Sequence, residues 1–332
     1  MAASTFEPGA AGEALARRAI VAYGLDVGAR LELVKVRENI VYRVTDSSGS
    51  YALRLHRRGY RSESEILSEV EYVRALRERG FVVPEMLPTP GGHLTLPLAD
   101  DHGSGFVVDL QRWVDATEPL GGIEEAFDGT SPLSPETFFR LGALAAGLHN
   151  ATEAIGRPKG FDRQAWDAQG LVGEAAVWGD PLSLSSLGAH ERRVLTSAVA
   201  RLRTLLEELG TASRNYGVVH ADFTPENVLS DGVHLTLIDF DDFGEGWHLF
   251  DLATMLFWYQ PHPRYADFRK AAVEGYRQAR DLDDAQLELL PAFLCARGLT
   301  YLGWAASRPG NDTSEFIAAE VLPLVVRLAD GL

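Results

Sequence analysis

Residues 218–253 read VVHADFTPENVLSDGVHLTLIDFDDFGEGWHLFDLA and bring His220, Asp222, Asn227, Asp239, Asp241, Asp242 and Asp251 into one short stretch. Within it Val228-Leu229, the turn-prone Ser230-Asp231-Gly232 and Leu235-Thr236-Leu237-Ile238 spell a short hairpin, so Asn227 opens one strand and Asp239 closes the other. That reading sets an amide carbonyl beside a carboxylate. Magnesium takes such oxygen donors and completes its shell with water and substrate phosphates, so the pair predicts a nucleotide-associated metal site. Asp222 precedes Asn227 on the same loop and is placed to accept a proton from an attacking hydroxyl, a role that needs position more than an unusual pKa.

If the strand continues past Asp239, Asp239 and Asp241 share a face. Two like charges about 4 Å apart repel by roughly 1 kcal/mol in water and about 4 kcal/mol near a protein surface, which a cation would relieve. Asp241 reads equally as a second metal ligand and as a solvated neighbour, and Asp242 reads toward a substrate.

Outward from this stretch, residues 10–25 form a short helix, followed by β-rich runs at 31–36, 40–44 and 51–55, the last two joined by a Ser/Gly-rich turn. Apolar residues from Ile66 to Leu76 recur at helical spacing until Gly80 ends the pattern. Two more strands at 93–98 and 106–114 complete a five-strand antiparallel lobe with one packed helix, assigned to residues 1–111. The lobe 112–332 is mostly helical, with helices at 135–152, 189–209, 249–259, 264–280, 284–305 and 313–330 and short strands near 216–219, 227–230 and 234–239. The class is α+β.

Composition narrows the partners. The chain has 332 residues, 46% hydrophobic and 23% charged, which supports a large core and excludes disorder throughout. One cysteine, Cys295 in an apolar run, excludes a disulfide framework and a CxxC site. A net charge of -16 opposes nucleic acid and anionic membranes and suits a cationic acceptor. The N-terminus has no signal-peptide pattern and no apolar run reads as long enough to span a bilayer, so a cytoplasmic protein is expected. Monomer and homodimer are both left open.

Three signatures, His220-Ala221-Asp222 with Asn227, Ile238-Asp239-Phe240-Asp241-Asp242 and Asp251-Leu252-Ala253, resemble those of the aminoglycoside phosphotransferase family. That family, with a protein-kinase-like two-lobed fold, includes choline and ethanolamine kinases and type II homoserine kinases. The likeness runs over most of residues 30–260. It implies ATP and Mg2+, with Asp222 as the base and Asn227 and Asp239 as metal ligands. It further implies that the hairpin from Glu38 and Asn39 to Val44 covers the nucleotide, and that Arg54 with Glu69 orients its phosphates. Two residues depart from the pattern. Arg54 stands where lysine is usual, and the two are not interchangeable at a tight site. Ala221 replaces glycine, which the loop accepts if its backbone angles are ordinary.

Other residues read two ways. Arg54 and Glu69 would also make a surface ion pair. Gln111, Arg112 and Trp113 line an adenine-binding hinge, or the tryptophan is packing. Trp247, Trp258, Tyr259, Tyr301 and Trp304 would box an amine by cation–π contact, or belong to the core. His220 braces the loop, Asp251 caps the following helix or ties the loop, and His149 favours the C-terminus of its helix. Segment 156–188, with Trp166 and Trp178, reads as a substrate-facing insert. The expected reaction is transfer of the ATP γ-phosphate to a hydroxyl of a small, amine-bearing molecule such as homoserine, an amino alcohol or an aminoglycoside. The rivals are a protein Ser/Thr kinase like stress response kinase A and a catalytically silent nucleotide-binding regulator.

Overall fold

The computed structural model describes residues 10–36, 39–56, 59–99, 105–115, 117–212 and 214–332; Glu38 lies outside them. The chain forms two compact units. The first holds the chain up to Glu118 together with Arg157–Asp162 and Asp231–Asp241, and the second holds Pro119–Gly156, Arg163–Ser230 and Asp242–Leu332.

In the first unit, helix α1 (Ala10–Ala22) precedes strands β1 (Arg30–Val36), β2 (Asn39–Asp46) and β3 (Gly49–His56). Helix α2 (Glu63–Glu78) follows, then β4 (Met86–Leu87), β5 (Thr95–Ala99) and β6 (Gly105–Arg112). The sheet is antiparallel in the order β1-β2-β3-β6, with β4 and β5 both on the outer edge of β6. It has six strands, where the periodicity predicts five, because the two residues of β4 are too few to show alternation. Helix α2 begins on a reciprocal Ser62–Glu65 capping box, and Gly80 follows its end at φ 82°, a left-handed angle that glycine adopts without strain.

Strand alternation sorts the sheet into two faces. Ile40, Tyr42, Val44, Tyr51, Leu53, Leu55, Phe106, Val108 and Leu110 point one way and form a dry core with Leu15, Ala19 and Ile20 of α1. The intervening positions, Arg54, His56, Asp109 and Gln111, point to the opposite face. Arg54 and Asp109 are directly opposed in the β3–β6 register.

The second unit is mainly helical. Helices Pro135–Ile155 and Tyr265–Tyr276 touch backbone to backbone: a Cβ on Gly142 would lie 2.0 Å from the Ala272 carbonyl oxygen, and one on Gly275 1.9 Å from that of Phe139. Only glycine permits this approach. A small sheet sets Gly244–Trp247 between Ala165–Trp166 and Tyr216–Val219. The helix expected over 284–305 is two, Asp284–Leu287 and Leu290–Ser307, the second with a proline in its first turn. The one expected over 313–330 is interrupted by a π-type turn at Ile317–Val321 before Pro323. Contrary to the sequence reading, the helical stretch Asp284–Ser307 is long and apolar enough by composition to cross a membrane; 78% of its apolar window is buried inside the fold, as in a core helix.

Candidate functional site

The polar face of the first sheet gathers charge around Arg54. Its guanidinium pairs with Glu69 of α2 at 2.7 Å, donates to both Asp109 carboxylate oxygens at 2.8–3.1 Å, and reaches Asp241 at 3.3 Å. The Gln111 amide, turned with its oxygen inward, accepts from Nη2 and Nε of Arg54 at 3.1 Å. His56 Nε2 lies 2.6 Å from Asp109 Oδ2. Burial opposes the Arg54 charge, but the carboxylates of Asp109, Glu69 and Asp241 outweigh it and hold the guanidinium well above its ordinary pKa. Burial likewise opposes the Asp109 charge, and Arg54 and His56 hold that carboxyl below the usual range. This is a buried ionic cluster and not the surface pair that spacing alone permits.

One guanidinium thus serves three carboxylates. Asn39 Nδ2 donates to Asp241 Oδ2, and Lys35 lies 3.6 Å from the partly exposed Asp239. The alternation expected to set Asp239 and Asp241 on one face does not hold. The strand ends at Leu237, and Asp239 adopts φ 66°, a left-handed angle that aspartate tolerates better than most residues. Trp113, beyond β6, stacks under the Arg43 guanidinium at 4.7 Å.

In the second unit, Asp222 sits on the loop between strand Tyr216–Val219 and the 3-10 turn Pro225–Asn227. Its two carboxylate oxygens have different partners. Oδ2 accepts from Asn227 Nδ2 at 2.9 Å and Oδ1 from Arg297 Nη2 at 2.6 Å. The Asp222 side chain keeps 29% exposure, so an outside group can reach it. Asn227 Nδ2 also donates to the Asp222 carbonyl, which directs the amide oxygen away from the loop. Asn227 belongs to the 3-10 turn and not to the strand it was expected to open.

Asp251 ties this loop from behind. It is the fourth residue of helix His248–Phe257 and not its cap, and its carboxylate accepts from the His220 and Ala221 backbone N–H groups at 2.9 and 2.8 Å. His149 contacts the same carboxylate through Nε2 at 3.0 Å and Tyr276 through Nδ1 at 2.8 Å. Because a carboxylate only accepts, Nε2 carries the proton and Nδ1 accepts from the tyrosine. Burial holds the His149 pKa below its ordinary value. His149 is therefore an interior strut, since the helix runs on to Ile155, and not the C-terminal residue expected. The loop also holds Ala221 at φ 63°, so its backbone angles are not ordinary and the departure from glycine carries strain.

The five aromatics do not form one box. Trp247 packs on Tyr216 and Phe293, Tyr259 on Phe138 and Phe268, and Trp304 lies under Arg308. Trp258 and Tyr301 do meet, with ring centroids 4.4 Å apart and the indole N–H donating to the Tyr301 hydroxyl at 2.7 Å. Segment 163–188 wraps Asp242: Trp166 donates to its carbonyl at 2.8 Å and Trp178 to its carboxylate at 3.1 Å.

Two buried charged residues at these centres escape the sequence reading, Asp109 and Arg297. Each is a charge inside an apolar run, FVVDL and AFLCARGL, and a charge that burial forces to find a partner is the signal both carry. Among the described residues no three His, Cys, Asp or Glu side chains group as a self-sufficient metal site.

Comparison with known proteins gives these centres a family. The amicoumacin kinase of Bacillus subtilis (strain 168) is 26% identical over 298 residues, 85% of this chain and 82% of that protein. The structure of a microcompartment-associated aminopropanol kinase superposes with a TM-score of 0.83 at 30% identity, covering 96% of each chain. That of an amicoumacin kinase in complex with AMP-PNP, Ca2+ and Ami shares the fold, with a TM-score of 0.76 at 23% identity over 95% of this chain and 93% of that one. These neighbours make the fold α+β and protein-kinase-like. The model of the phosphotransferase enzyme family matches residues 32–287, which hold both the Arg54 cluster and the Asp222 loop, and the chain belongs to that family of phosphotransferases.

Proposed function

We propose that the protein is a cytoplasmic kinase that uses ATP and Mg2+ to phosphorylate a hydroxyl of a small, amine-bearing molecule, with an amino alcohol or a homoserine-like compound ahead of an aminoglycoside. The observation that carries this reading is Asp222: a carboxylate with each oxygen engaged, on a loop tied through its backbone, yet 29% exposed. Such a group is positioned to take the proton of an acceptor hydroxyl, and phosphoryl transfer asks for position and charge stabilisation more than for a strong base.

In this reading residues 1–111 bind nucleotide and 112–332 carry the base and the acceptor. Arg54, oriented by Glu69 and backed by Asp109, is assigned to the ATP phosphates, with Asn39, Gln111 and Trp113 assigned to the nucleotide as well. The oxygen donors assigned to magnesium are Asn227, Asp239 and Asp241, hard ligands of the kind that ion takes. Within the first unit, Asp241 is such a donor and shares its guanidinium with two other carboxylates. When bound, the ion offsets the charge of the phosphates. An amine-bearing acceptor is supported by the net charge of -16 and by the likeness to an aminopropanol kinase. Asp242 is assigned to the amine, and Trp258 and Tyr301, whose rings meet, to a wall of the acceptor site.

The test is magnesium-dependent ADP release by the wild type and Asp222→Asn across amino alcohols, choline, homoserine, aminoglycosides and a generic protein substrate. Turnover of a small hydroxyl compound that vanishes in Asp222→Asn supports the reading. Phosphorylation of protein alone would favour the protein-kinase rival, and absence of Mg-ATP binding would sink it.

A further inference from the structure

We propose that Arg297 is the positioning residue of Asp222, a buried guanidinium supplied by a distant helix that locks both the carboxylate and the backbone beneath it; this rests on the reading of Asp222 as the base. Arg297 lies in helix Leu290–Ser307, 75 residues from Asp222, and is fully buried. Its Nη1 donates to the Ala221 carbonyl at 3.0 Å, while Nη2 donates to Asp222 Oδ1 at 2.6 Å and to the Tyr301 hydroxyl at 2.9 Å. The guanidinium lies 4.4 Å from the Trp178 ring centroid and 4.2 Å from that of Tyr301, so aromatic faces hold its plane.

Burying a guanidinium is costly unless its partners are well placed, and a hydrophobic side chain of similar volume would often serve stability as well. A purely structural helix anchor has little need to reach these particular atoms. Arg297 grips the loop at Ala221, where φ is 63°, and at the carboxylate that follows. Asn227 holds the other oxygen, so the two partners together fix the carboxylate plane and leave its exposed side for the acceptor. Phosphoryl transfer asks for a positioned acceptor of the proton more than for a strong base, so geometry is what Arg297 supplies.

The experiment compares Arg297→Met, Arg297→Lys, Asp222→Asn and the double variant Asp222→Asn/Arg297→Met in the full chain. It measures kcat and KM for ATP and for the best acceptor of the wild type. Arg297→Met is expected to lower kcat by about 10²–10³-fold with KM for ATP changed less than about threefold, the pattern of an interaction that matters in the transition state. Arg297→Lys keeps charge without the fork and should recover part of the loss. The double variant should be no slower than Asp222→Asn, since residues acting as a unit are not additive. Folded Arg297→Met with unchanged kcat, or losses that multiply in the double variant, overturns the inference while leaving the kinase reading intact. Full activity in Asp222→Asn removes the kinase reading and this inference together. Should Arg297→Met not fold, Tyr301→Phe decides: deleting only the hydroxyl that Arg297 grips should cost about three- to tenfold in kcat, and an unchanged kcat would overturn the inference.

Discussion

The Arg54 cluster and the Asp222 loop are built from the same chemistry with the signs exchanged. In the first, one buried cation gathers three carboxylates; in the second, one partly exposed carboxylate gathers an amide and a guanidinium. The scaffolds differ as well. Arg54 and Asp109 are opposed residues of paired strands, so regular sheet geometry delivers them together, whereas Asp222 occupies an irregular loop whose shape depends on Asp251, His149 and Arg297 from three separate helices. A sheet can present a charge cheaply on a face it already has. A loop with a left-handed alanine has to be held.

That contrast predicts where each centre fails. The largest effect belongs to the loop: Asp222→Asn should lower kcat by about 10³–10⁴-fold with the fold unchanged, because the amide keeps the shape but accepts no proton. A drop below tenfold would show that the tied carboxylate is not the base. Next comes the sheet cluster. Arg54→Met leaves Asp109 and Glu69 buried with their main countercharge gone and should destabilise the protein by about 3–5 kcal/mol in denaturant unfolding. Stability within about 1 kcal/mol of the wild type would mean that the cluster does not hold the sheet.

A third prediction tests the struts behind the loop through pH. His149 and His248 stack at 4.4 Å, and burial holds both pKa values below the ordinary one. The unfolded chain therefore binds more protons than the folded one below about pH 6.5. Stability is complete above that pH and falls as pH drops, by up to about 1.4 kcal/mol per pH unit for each histidine. His248→Phe should flatten the slope between pH 6.5 and 5.5, and an unaltered slope would exclude His248 as a source. The smallest effect sharpens the account of loop strain. Ala221→Gly should stabilise the protein by about 0.5–1 kcal/mol, since glycine occupies φ 63° without the clash an alanine makes. Destabilisation would mean that the buried methyl group packs better than its backbone suffers.

Much of both centres was legible in the residues. Periodicity locates β2, β3, α2 and the strand before the loop, and Gly80 marks the end of α2, whereas the Ser62–Glu65 capping box at its start is seen only in the structure. The spacing of Asp222, Asn227 and Asp239 singled out the loop. Where the reading fails, it extends a regular pattern into irregular backbone: it runs a strand to Asp239 that stops at Leu237, and the condition set for Ala221, ordinary backbone angles, is not met. His149 was read from its own helix, although its partners Asp251 and Tyr276 lie 102 and 127 residues away.

By itself, then, the sequence determined what depends on neighbours along the chain: strand alternation, helix ends, the acidic balance and the presence of a charged loop. The tertiary structure decided the partners of the buried charges, joining Arg54 to Asp109 across 55 residues and Asp222 to Arg297 across 75. The physical reason is range. Propensity and periodicity act over a few residues, whereas a charge removed from water accepts whichever opposite charge the packing brings within about 3 Å, however far away it was synthesised.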